Sequence, residues 1–193
     1  MAKRIITISR EFGSGGRFIG EEVAKKLGIA YYDKEMIGQI AEQAGLSSAY
    51  VRENAELSPK KGWFAYAFSG RDITGKSVED MVYEAQRKVI MEIAEKENCV
   101  IVGRNADFIL KDRKDVLNVF IHGSIPEKVR RICSLYNVTE VDAIKMINDI
   151  DKRRRTNYNF YTEQKWGMAE NYTMSLNSSV SVSYTHLTLP TIA

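Results

Sequence analysis

The stretch Ile5–Gly28, IITISREFGSGGRFIGEEVAKKLG, decides the fold. Ile5-Ile6-Thr7-Ile8 is a β-rich run that stops at Ser9-Arg10-Glu11, just before the turn Gly13-Ser14-Gly15-Gly16. From Arg17 onward the apolar residues fall at Ile19, Val23, Ala24 and Leu27, one face of a helix that Gly28 closes. A strand, a Gly-rich turn and a helix in that order bring backbone N–H groups and a positive helix end to one point, a cradle for phosphate. A plain strand-to-helix turn is the competing reading. The position of the glycines, between an N-terminal strand and an amphipathic helix, favours phosphate. Gly13, Ser14, Gly15 and Gly16 are the candidate cradle.

The turn departs from the Walker pattern, in which Gly and four residues precede Gly-Lys-Ser/Thr. Gly15 is followed by Gly16 and Arg17, so a glycine stands in the place of the Lys and an Arg in that of the hydroxyl. Arg17 is the candidate for the missing charge, since guanidinium binds phosphate bidentately. It cannot replace a hydroxyl on a metal ion.

Working outward, Ile29-Ala30-Tyr31-Tyr32-Asp33 reads as a second strand, followed by helical patterns over 34–57 that break at Gly45 and Ser47-Ser48. Residues 58–76 read as a loop-rich insert anchored by Trp63, Phe64, Tyr66 and Phe68. Ser77 and Asp80 suggest a capping box, and Val78, Met81, Val82, Ala85, Val89 and Ile93 give the helix after it a core face. Cys99-Val100-Ile101-Val102 and Val116–Ile121 are continuous apolar runs, as strands covered on both faces require. Helices are expected from Pro126 and from Thr139, the latter capped with Asp142. Strands alternating with helices predict a parallel sheet whose ligands gather at the carboxyl ends of its strands.

Two further positions stand at such ends. Gly103-Arg104 follows the run 99–102 and would place a guanidinium in the ligand crevice, with a structural ion pair as the bland alternative. Asp33 ends the second strand, and it serves equally as a ligand contact or as the N-cap of the next helix. Arg130, Arg131 and the run Lys152-Arg153-Arg154-Arg155 add six cations on or beside helices. Phosphoryl transfer needs positive charge around the equatorial oxygens and exclusion of water, which a basic hinged segment supplies. For any one member of the run a solvated helix face is the better reading. Followed by Tyr158–Tyr161 and Trp166, the cluster also admits RNA binding, a reading ranked lower.

The 193 residues suit one domain, and a net charge of +3 is too small to argue for nucleic acid. No apolar run approaches a membrane span, and nothing at the start of the sequence suggests export. Cys99 and Cys133 have no CxxC spacing and read as buried thiols in a reducing cytoplasm. His122 and His186 are isolated, so no metal site is expected. The segment Val182–Thr191 back-translates codon by codon into GTC TCT TAT ACA CAT CTG ACG CTG CCG ACG, which looks like a sequencing-library adapter. Residues 181–193 therefore read as a non-native tail on a domain spanning 1–180 that was cut near residue 180.

The segments Ile5–Gly28, Tyr32-Asp33-Lys34-Glu35, Val102-Gly103-Arg104, Asn171-Tyr172 and Asn177-Ser178-Ser179 together resemble the cytidylate kinase-like family, a branch of the P-loop nucleoside monophosphate kinases. The resemblance implies a three-layer α/β fold, a parallel sheet flanked by helices, with a helical acceptor-binding insert and a lid. It implies transfer of the γ-phosphoryl group of ATP to CMP or dCMP with Mg²⁺. Gly13 to Gly16, with Arg17 beside them, would cradle the donor. Tyr32, Asp33 and Arg104 would contact the acceptor, although Asn105 stands where the family motif has Asp. Arg17, Arg104, Arg130, Arg153 and Arg155 would stabilise the charge in transit. The partners implied are nucleoside mono- and triphosphates. Without its Lys, the loop equally suits a relative that binds nucleotide and transfers nothing.

Overall fold

The computed structural model describes residues 4–43, 45 and 78–180. The aromatic insert 58–76, the helical pattern after Gly45, the Ser77 cap and the tail 181–193 lie outside these. Five strands, β1 (Ile5–Arg10), β2 (Ala30–Tyr32), β3 (Cys99–Val102), β4 (Val116–His122) and β5 (Met174–Asn177), form one parallel sheet in the order β2-β3-β1-β4-β5. The helices are α1 (Gly16–Leu27), α2 (Lys34–Gln43), α3 (Val78–Lys96), α4 (Ala106–Ile109), α5 (Ile125–Tyr136) and α6 (Glu140–Thr162).

β1 lies between β3 and β4, and the core forms on both of its faces. Ile5, Cys99 and Ile101 meet α2 and α3 through Ile37, Ala41, Val89, Ile90 and Ile93 on one face. Ile8, Val100, Val102, Val119 and Ile121 meet α1 through Ala24, Ile19 and Val23 on the other. This is why strands 99–102 and 116–121 read as unbroken apolar runs. Gly20 brings α1 close against β3, for a Cβ there would lie 2.9 Å from Val102 Cγ2. The αL glycine Gly28 ends α1 by donating to the carbonyls of Ala24 and Lys25. Thr139 caps α6, its Oγ1 accepting from the Asp142 N–H at 3.2 Å.

α5 and α6 form a hairpin with its own apolar seam of Val129, Ile132, Ala143 and Ile147, and Phe12 of the loop after β1 packs against it. The hairpin therefore sits on the Gly-rich turn rather than standing away from it. Of the two cysteines, Cys99 is fully buried but Cys133, on α5, is only half-buried. Among the described residues no helix is long and apolar enough to cross a membrane.

Candidate functional site

The crevice at the carboxyl ends of β1 and β3 is built from two turns and a helical hairpin. The first is Glu11–Gly15. Gly13 and Gly15 take φ of +80° and +79°, values that L side chains avoid, and the two reversals curl the chain into the first turn of α1. Ser14 is buried and its hydroxyl donates to the Glu11 carbonyl at 2.8 Å, so it shapes the loop from inside. The first-turn N–H groups of α1 face the crevice as the orphan donors of any helix start.

The second turn is Gly103-Arg104-Asn105, three successive residues at positive φ (+79°, +59° and +55°). Two of them are not glycine, at a cost of roughly 1 kcal/mol each. The turn is held by Gly103 N–H donating to Ile8 O at 3.0 Å and Ala106 N–H donating to Gly103 O at 3.2 Å. Arg104 is half-buried and Nη1 reaches Gln86 Oε1 at 3.5 Å. Gln86 is buried, and its Nε2 has no hydrogen-bond partner among the described residues.

The third component is the hairpin. Asp151 of α6 accepts the Phe12 N–H at 2.7 Å, and Arg154 Nη1, one turn on, donates to Arg10 O at 3.1 Å. Lys128 of α5 is buried between Glu11 (2.9 Å) and Asp151 (3.7 Å), while Glu11 also accepts the Gly123 N–H. Arg131 Nη1 donates to the Gly13 carbonyl, and its guanidinium lies over Gly15. The loop is thus clamped by two cations and a carboxylate from one hairpin. Burial pushes the Asp151 carboxyl above its usual range, against the Phe12 N–H, Arg154 and Lys128.

Electrostatics give the crevice its sign. Burial, then Arg154, then Arg104 push the Arg10 guanidinium down to about 9. Burial also lowers Arg154, with Asp151 opposing and Arg104 adding to the effect. Guanidinium groups that lower one another in this way favour an anion nearby, although Arg154 also pairs with Asp151 at 3.5 Å. Behind them lies a buried polar core. Asp107 is buried, accepts from Ser9 Oγ (3.2 Å) and Tyr158 Oη (2.7 Å), and is pushed upward by burial.

The sequence candidates separate. Gly13, Ser14, Gly15 and Gly16 form the turn from β1 into α1, with Ser14 and Gly16 buried, and Arg104 follows the carboxyl end of β3, half-buried. Arg17 points to the β2 side, pairing with Asp33 at 2.8 Å and Glu35 at 3.4 Å, with its side chain 63% exposed. Asp33 is the N-cap of α2, accepting from the N–H groups of Glu35 and Met36, as well as the partner of Arg17. Tyr32 turns to the opposite edge, donating to Glu97 at 2.8 Å, at the amino end of β3; Tyr31 is the neighbour that reaches α1, at Arg17 O. Arg130 pairs with Glu127 on the solvent side of α5. Arg153 and Arg155 are exposed, and Arg155 lies 6.0 Å from the Trp166 ring. Arg10, Lys128, Arg131, Asp151 and Arg154 hold the loop or face the crevice, and of these sequence reasoning noted only Arg131 and Arg154, as members of the basic clusters. One signal was available. Arg10 ends β1 as Arg104 follows β3, and side chains at strand ends of a parallel sheet share one crevice.

The nucleotide expected of this fold fits the donor set here, with a loop of reversed glycines, a helix start and the cations Arg10, Arg104 and Arg154. For Mg²⁺ the chain offers less. Among the described residues no group of three potential ligands exists, and Ser14 spends its hydroxyl on Glu11. Magnesium at kinase sites takes most of its ligands from the substrate phosphates and water.

Comparison with curated proteins gives no match. A structure of an uncharacterized protein from Eubacterium ventriosum is 29% identical with a TM-score of 0.70, covering 91% of this chain and 88% of that one. A shikimate kinase from Bacteroides thetaiotaomicron superposes with a TM-score of 0.52 at 17% identity (92% and 87% coverage), and a gluconokinase from Sinorhizobium meliloti with 0.50 at 14% (91% and 82%). At these identities the two kinases establish the fold, that of P-loop kinases. The model of the cytidylate kinase-like family matches residues 5–180, and the chain belongs to that family.

Proposed function

We propose that the protein is a nucleoside monophosphate kinase that moves the γ-phosphoryl group of ATP to CMP or dCMP. The observation that carries this reading is the convergence of Arg10, Arg104 and Arg154 beside the Gly13–Gly16 turn, with Arg10 packed over Gly16 and Gly103 and Arg154 bonded to the Arg10 carbonyl and paired with Asp151 at 3.5 Å. In the transfer the bond from the γ-phosphorus to the ADP oxygen breaks as a bond to an acceptor phosphate oxygen forms. That oxygen is already anionic, so no general base is required. The work left to the protein is alignment and charge stabilisation, which fixed guanidinium groups supply. Arg104, strained into the crevice, is the contact for the acceptor phosphate. Arg17 and Asp33, joined at 2.8 Å on the β2 side, flank the acceptor nucleoside.

The missing Lys and hydroxyl favour a second reading, a nucleotide-binding relative that transfers nothing. One experiment separates the two. The chain is mixed with ATP, Mg²⁺ and each nucleoside monophosphate in turn, and ADP release is followed. The kinase reading expects acceptor-dependent ADP with CMP or dCMP. ATP binding by calorimetry, with no acceptor supporting turnover, selects the binding module.

A further inference from the structure

The phosphate loop lacks its Lys, and the neighbourhood of Gly16 explains why. A Cβ built there would lie 2.6 Å from Arg10 Cβ and 2.9 Å from Arg10 Cγ, closer than real side chains come. The stem of Arg10 occupies the space that the stem of a Lys at position 16 would need. From there the side chain crosses to β3, where its guanidinium lies so close over Gly103 that a Cβ on that residue would collide with Nη1. Gly103 takes a φ of +79°, and its lack of a Cβ leaves room for this approach. The tip of Arg10 is flanked by Arg104 and Arg154. Asp151 also acts on its charge, in the opposite sense to Arg104 and Arg154. Near Arg104, the Nε2 of Gln86 is a buried donor with no partner among the described residues.

We propose that Arg10 takes the place of the P-loop Lys. Its guanidinium, reaching in from the end of β1 rather than the start of α1, binds the terminal phosphoryl oxygens of the donor, with Arg154 as the second contact. The assignment rests on the phosphotransfer reading for its role in catalysis but not for phosphate binding itself. A Lys presents a point charge to the β- and γ-phosphates, whereas a guanidinium offers two parallel N–H donors in a fixed plane. The exchange of Arg at 10 and Gly at 16 is thus one change in two positions, a longer cation paired with the vacancy that admits it.

The test uses sodium tripolyphosphate as probe and the melting temperature of the full chain as readout. Tripolyphosphate is expected to raise the melting temperature of the parent. Arg10→Met should lose the rise, with affinity falling about 30-fold or more, the loss that follows when one partner of a buried charge pair is truncated. Lys25→Met, exposed in the last turn of α1, should keep it. Gly16→Lys alone should not bind, because the two stems cannot share the space and neither cation can keep its place. Arg10→Gly, which removes the Cβ that lies 2.6 Å away, combined with Gly16→Lys should regain binding. Should Arg10→Met not fold, Arg10→Gln carries the same expectation. Failure of both to fold, with the double variant, would make Arg10 part of the scaffold and overturn the assignment. So would a folded Arg10→Met that binds as the parent does, or a parent with no rise. A parent that binds tripolyphosphate through Arg10 yet never forms CDP would refute phosphotransfer and leave this assignment standing.

Discussion

Two sets of arginines lie within a few residues of each other in the sequence and at very different depths in the molecule. Arg10, Arg104, Arg131 and Arg154 are half-buried and turn to the loop or the crevice, while Arg17, Arg130, Arg153 and Arg155 are exposed on helix faces. Arg153, Arg154 and Arg155 differ by single steps of about 100° around α6. The step that matters is fixed by Asp151, which takes the Phe12 N–H and so locks the phase of the helix against the loop. Charge near a phosphate site is therefore decided by helix phase, and a basic run announces a candidate without naming its working member.

The largest expected effect is at Arg104. Arg104→Gly removes the guanidinium and relieves a left-handed residue, so turnover should fall about 100-fold or more while the melting temperature holds or rises. A melting temperature that drops with turnover unchanged would make Arg104 structural. Next is Lys128, whose replacement by Met leaves Glu11 and Asp151 facing each other in a buried site. The cost is about 3 kcal/mol, a fall on the order of 10 °C by scanning calorimetry. A third comparison sets Arg154→Met against Arg153→Met and Arg155→Met. The first should raise the KM for ATP about tenfold, and the other two should stay within about twofold because exposed charges contribute little. Equal effects at all three would erase the distinction between inner and outer arginines.

The smallest effect concerns Asp107. Its carboxyl is raised by burial, so the charged form costs stability at neutral pH. That cost is absent below the ordinary carboxylate range and grows as pH rises through the raised value. Asp107→Asn should match or exceed the parent at pH 7, and the parent should gain on the variant as pH falls towards 4. A parent that loses ground on acidification would contradict the burial argument.

The contrast also marks what was legible in the sequence. Strands β1 to β4 and the loop were readable because apolar runs and clustered glycines are local signals. Met174–Asn177 was not, since an exposed four-residue edge strand has no apolar run and pairs only through register with β4. α4 is a single turn beginning in left-handed backbone, which no periodicity reveals. In the site, Tyr32 is what the resemblance implies, and the directions of the two tyrosines, Tyr32 to Glu97 and Tyr31 to α1, are visible only in the sheet. For Arg10 the sequence carries only its place at the end of β1, while the room it takes above Gly16 exists only in three dimensions.

The most direct test of the central claim, that these inner arginines serve phosphoryl transfer, is ³¹P NMR of the chain with ATP, Mg²⁺ and CMP. The account predicts that the β-phosphate resonance of ATP declines while those of ADP and CDP grow together, in the parent and not in Arg10→Met. ATP signals that persist unchanged in the presence of enzyme and CMP, or ADP and free phosphate without CDP, would contradict it.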